Sequence, residues 1–105
     1  MIVSSRYIDQ AQIAFEVDRA KLKLGPEVVR LMHSTGPDMD GESSIFFRVV
    51  LTDSASREET LAAVMRQIKK TFFDELRPYE NWGMYPYFSF RSQSEQPEHR
   101  DSAWN

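Results

Sequence analysis

The amino-acid sequence predicts a small two-layer α+β domain: helix, strand, strand, helix, strand, with a three-stranded sheet covered on one face by two helices. Three observations predict it. Apolar residues recur at helical spacing in two stretches, Ile13-Val17-Ala20-Leu24 and Leu61-Met65-Ile68-Phe72-Leu76. Between them, Ile45 to Leu51 alternates with period two, as a strand does. At 105 residues, with 41% hydrophobic and 28% charged, the chain has the size and composition of one globular domain.

The first helix starts at Asp9, a suitable N-cap, with Gln12 three residues on to complete a capping box. Ile8 and Ile13 are spaced for a hydrophobic staple, and Gly25-Pro26 is a stop signal. Ile13, Phe15 and Val17 also alternate like a strand, but the cap and the stop favour helix. Val28 to Ser34 reads as a short strand, and Thr35 to Glu42 is dense in turn formers. In the next strand Ile45, Phe47, Val49 and Leu51 share one face, with Phe46, Arg48 and Val50 on the other. Two strands joined by a local loop pair antiparallel.

Ser56 with Glu59 forms a second capping-box pattern, and Glu58 and Glu59 suit the positive end of a helix dipole. Arg77-Pro78 ends that helix, Tyr79 to Gly83 reads as a turn, and Met84 to Arg91 as a last strand. Pro86 pushes that strand toward a sheet edge. A helical crossover allows it to lie parallel to one of the first two. Residues 1–92 are thus expected to form the domain, and 93–105 a polar tail with no core of its own. The expected core sets Leu61, Met65, Ile68, Phe72 and Leu76 against Ile45, Phe47, Val49 and Leu51, with Ile13, Val17 and Leu24 beside them.

Composition removes several functions. The chain has no cysteine, so disulfides, thiolate metal sites and cysteine nucleophiles are excluded. Thirteen Lys and Arg against sixteen Asp and Glu leave a net charge of −3, which disfavours a domain devoted to neutralising phosphates. No apolar run is long enough for a membrane span, and Met1 to Asp9 lacks the pattern of a signal peptide. A cytoplasmic domain without membrane contact is the expectation.

Asp38, Asp40 and Glu42 in a Gly-containing loop invite a calcium reading. With Gly41 as the sixth loop position, however, Gly36 falls at the first and Phe47 at the twelfth, where acids are required. A solvated hairpin loop is the reading, with no metal and no cofactor. His33, beside Ser34 and close in sequence to Asp38, is the one candidate for base catalysis in the folded region. No nucleophile elbow, phosphate loop or metal-hydrolase motif accompanies it, so no catalytic residue is assigned.

Arg30, Arg48 and Arg91 each fall within an expected strand, and Tyr85, Tyr87 and Arg91 alternate on the last one. If they share the helix-free face with Phe46, that face mixes cations with aromatic rings. Such a face suits a protein contact or a second copy, or else single-stranded RNA. Arg66, Lys69, Lys70 and Arg77, with Phe73 among them, mark a basic stripe on the second helix. Trp104, a large aromatic in the polar tail, is a candidate anchor. The candidate partner-binding residues are therefore Phe46, Arg48, Tyr85, Tyr87, Arg91 and Trp104.

The element order resembles the type II KH-like arrangement of ribosome-binding factor A, which implies RNA binding. That family's Ala-x-Gly kink is absent, and Arg77 to Gly83 stands in its place, so no functional residue carries over. His33-Ser34-x-Gly36, Asp38-x-Asp40-Gly41, Ile45 to Leu51 and Tyr87-Phe88-x-Phe90-Arg91-Ser92 resemble short bacterial proteins of uncharacterised function. The resemblance implies a larger protein encoded alongside, of the HEPN-type ribonuclease kind, and with it an accessory or antitoxin-like role. The expected function is non-catalytic protein binding through the aromatic and arginine-bearing sheet face and the tail. A KH-like RNA binder and an enzyme using His33 are the alternatives.

Overall fold

The computed structural model describes residues 9–95 and Trp104. Six elements follow in order: α1 (Gln10–Lys21), β1 (Val28–Pro37), β2 (Ser43–Leu51), α2 (Glu58–Leu76), α3 (Pro78–Trp82) and β3 (Tyr85–Ser92). The fold is α+β, with a three-stranded mixed sheet in the order β1-β2-β3. β1 runs antiparallel to β2, and β3, returning through α2, runs parallel to it.

The Asp9 side chain accepts from the Gln12 backbone N–H and caps α1 as expected. Ile8, the other half of the staple, lies outside the described residues. α1 ends four residues before Gly25, because Lys23 and Leu24 bond the carbonyls of Ala20 and Lys21 in tightened turns. Phe15 is 60% exposed while Ile13 and Val17 are sealed, which is the helical period rather than the strand alternation.

The capping box at the second helix does not form. Arg57 is the N-cap and makes no side-chain cap bond. Ser56 Oγ donates instead to the Thr52 carbonyl, and Thr60 Oγ1 to the carbonyls of Ser54, Ala55 and Arg57. The loop after β2 folds into its own tight turns, which draw the hydroxyl away from the helix end. The stretch read as a turn at Tyr79 to Gly83 is the short helix α3. Pro78 at its first turn fits the missing N–H. Arg77, at φ 45°, joins the two helices in the left-handed conformation. β1 and β2 each extend beyond the expected bounds, to Pro37 and from Ser43, because Gly36 and Pro37 still pair with Ser44 and Ser43.

The core lies between the helices and one sheet face. Ile45, Phe47, Val49 and Leu51 of β2 are all within 1% of complete burial, together with Ile13, Val17, Phe72 and Leu76, and Ile68 is 4% exposed. Phe47 sits between Phe72 of α2 and Phe88 of β3, with ring centroids 4.8 and 4.9 Å away. Leu61 and Leu24 are only partly buried against this cluster, and Met65 is half-buried, so the stripe thins toward the N-terminal end of α2. Phe73 is 48% exposed, with its ring 6.3 Å from Phe88, so it covers the edge of the core that Phe72 fills.

Candidate functional site

Strand register decides which side chains share the helix-free face. Across β1, β2 and β3 it aligns Gly36, Ser44 and Tyr85, then Ser34, Phe46 and Tyr87. Next come Met32, Arg48 and Ser89, and last Arg30, Val50 and Arg91. Because side chains alternate across a strand, these rows lie opposite the core rows of Phe47 and Val49. The five residues expected to gather there, Arg30, Phe46, Arg48, Tyr87 and Arg91, do so, with Tyr85 at the loop end.

The two ends of this face differ. At the loop end, the Phe46 and Tyr87 rings stack 5.5 Å apart with planes 16° from parallel. The Tyr87 hydroxyl donates to Asp38 Oδ2 at 2.8 Å. Asp38 Oδ1 accepts the backbone N–H groups of Asp40 and Glu42, each at 2.9 Å. The Asp38 carboxylate is thus the organising centre of the loop, and Gly41, at φ 83°, supplies the left-handed residue the turn requires. The bond from the Glu42 amide, and then that from Tyr87, hold the Asp38 carboxyl below the usual range. The partner phenol moves the other way, raised first by this bond and further by the charges of Asp38 and Asp40. Tyr85 is raised through its hydroxyl contact with Tyr79, whose ring lies 5.1 Å away, and by the charges of Glu42 and Asp38. Beside the stacked pair lies a groove of about 730 Å³ lined by Pro37, Asp38, Met39, Asp40, Phe46, Tyr87, Phe88 and Ser89.

At the other end the face is covered over Val50 and Arg91, while Arg30 in the same row is exposed. The Trp104 ring lies on the guanidinium of Arg91, 4.3 Å from its centroid, and is 6% exposed. Val50, in register with Arg91, is 3% exposed although it faces away from the core. Trp104, the expected anchor, is therefore seated on this chain's own sheet. Between the two ends, Arg48 Nη1 donates to Ser34 Oγ at 3.0 Å. Its Nε is buried and has no hydrogen-bond partner among the described residues.

Of the expected tail, Gln93, Ser94 and Glu95 form a turn held to the domain, with Ser94 donating from N–H and Oγ to Asp53. Residues 96–103 and Asn105 lie outside the described residues.

The structure does not bring His33 together with Asp38 or Glu42. His33 pairs with Phe47 in register and so points toward the helices. Burial and the charge of Lys21 lower its pKa. Among the described residues no group of three His, Asp or Glu is placed to hold a metal ion. None of their helices is long and apolar enough to cross a membrane. The Asp38–Tyr87 bond, across 49 positions of chain, had no signal in the sequence beyond the separate occurrence of an acidic loop and a tyrosine strand. Neither a family model, nor a curated protein, nor a solved structure matches this chain.

Proposed function

We propose that this protein is a non-catalytic binding domain that contacts a protein partner through its helix-free sheet face, in the manner of an accessory or antitoxin-like subunit. The observation that carries the reading is the register, which gathers Phe46, Arg48 and Tyr87 on one side of the sheet while the core residues occupy the other. Aromatic rings and arginine are the side chains on which protein interfaces concentrate their affinity. The net charge of −3 favours a protein over a polyanion.

RNA is the second reading, favoured by the same stacked Phe46–Tyr87 pair, since bases stack on such rings at about 1–3 kcal/mol each. The separating experiment captures the partner from the native host on the full chain and identifies it as protein or RNA. A protein lost from Arg48→Ala and Tyr87→Ala, with modest salt dependence, supports the first reading. Submicromolar RNA binding that persists near physiological salt and requires Tyr87 and Arg48 overturns it.

A further inference from the structure

The loop end of the face has a specific chemistry. Among the described residues, its groove is lined by two carboxylates, Asp38 and Asp40, and three aromatic rings, with no cation. Asp38 is committed to the loop and to Tyr87. Asp40 is exposed and forms no ion pair among the described residues. Met39 at the tip is fully exposed, a soft and adaptable side chain at the rim.

A second copy laid face to face would not suffice as occupant. Strands of 10, 9 and 8 residues present a flat footprint of roughly 30 by 14 Å, about 420 Å², against about 800 Å² of accessible surface per partner in a standard interface. Part of that area is already closed over Val50 and Arg91. The site is sized for a side chain on an extended segment.

We propose that this groove seats an arginine side chain of a protein partner, its guanidinium stacked on the Phe46–Tyr87 pair and paired with the Asp40 carboxylate. Charge complementarity selects a cation, and the aromatic faces select one that is planar and weakly hydrated, arginine rather than lysine. The same face already makes this kind of contact at its other end, where Trp104 covers Arg91. Hydrogen bonds to Tyr79 and Asp38 are the main reason the Tyr85 and Tyr87 phenols are raised, and the nearby carboxylate charges, which add to both shifts, are what such a guanidinium would neutralise. The proposal rests on the sheet-face reading of function and specifies the partner's chemistry.

The test titrates the full chain, by NMR near physiological salt, with a short peptide carrying two arginines spaced by glycine. The same peptide with citrulline, a neutral isostere of arginine, is the control. The arginine peptide is expected to shift the Phe46 and Tyr87 ring signals and the Met39 methyl saturably. Binding should weaken about fivefold or more with citrulline, and by as much in Asp40→Asn, an exposed loop change that leaves the Asp38 bonds in place. Equal binding of citrulline, undiminished binding to Asp40→Asn, or no ring shifts at millimolar peptide overturns the proposal. With the captured partner, loss on Tyr87→Ala but not on Asp40→Asn sinks the arginine proposal and spares the face reading. Indifference to Tyr87→Ala sinks both.

Discussion

Phe46 and Phe47 are chain neighbours with opposite roles, and truncating each in turn tests the register on which the functional face depends. Phe47 is 1% exposed and wedged between Phe72 and Phe88. A phenylalanine buries about 200 Å², and its replacement by alanine in a sealed core costs about 3–5 kcal/mol, transfer and cavity together. Against the roughly 5–15 kcal/mol available to a domain of this size, that is a large fraction. With a urea m-value of about 1.5 kcal/mol per molar, the midpoint should fall by about 2–3 M. Phe46 is half-buried and touches chiefly one ring, that of Tyr87, so Phe46→Ala should cost only about 1 kcal/mol. Equilibrium urea unfolding followed by far-UV circular dichroism measures both. A one-residue slip of β2 would exchange every inward side chain for an outward one. Equal costs, or a larger cost at Phe46, would therefore refute the assignment of faces and the functional reading built on it.

Other outcomes follow from single contacts. Arg77→Gly should raise stability by about 0.5–1 kcal/mol in thermal unfolding, because glycine adopts the φ of 45° at the α2–α3 junction without a Cβ penalty. The ion pair it removes, Arg77–Glu80 at 3.6 Å on the surface, contributes little. Tyr87→Phe should let the Asp38 carboxyl titrate at higher pH in an NMR titration, since one of the bonds to the ionised form is lost. Trp104→Ala should destabilise the full chain by about 1–3 kcal/mol in denaturant unfolding, from a buried ring and a cation–π contact. His33 has a folded pKa below its ordinary value of 6.5, so the unfolded chain binds the extra proton first as pH falls. Its contribution is complete above that value and is lost as pH drops from there toward the folded pKa. His33→Gln should flatten this slope in pH-dependent unfolding, the wild-type difference cancelling the effect of His99.

The α+β class, the two amphipathic helices and the partition of β2 into a core face and an open face are all legible in the residue pattern alone. Those features depend on period, and a period is a local property of residues a few positions apart. The Asp9 cap was equally legible, since its donor lies three residues away. The cap of α2 was not, because Ser56 had a closer competitor in the Thr52 carbonyl once the loop folded. Nor did the turn formers of Tyr79 to Gly83 reveal α3, whose left-handed entry at Arg77 places Trp82 and Met84 into the core. The content of the open face, by contrast, depends on the folded chain. Parallel pairing of β3 brings Tyr87 beside Phe46 and within reach of Asp38, and Arg91 beneath Trp104. Which side chain meets which across strands is fixed by long-range register. Register is set by how the whole hydrophobic pattern packs against the helices, so no short stretch of sequence contains it.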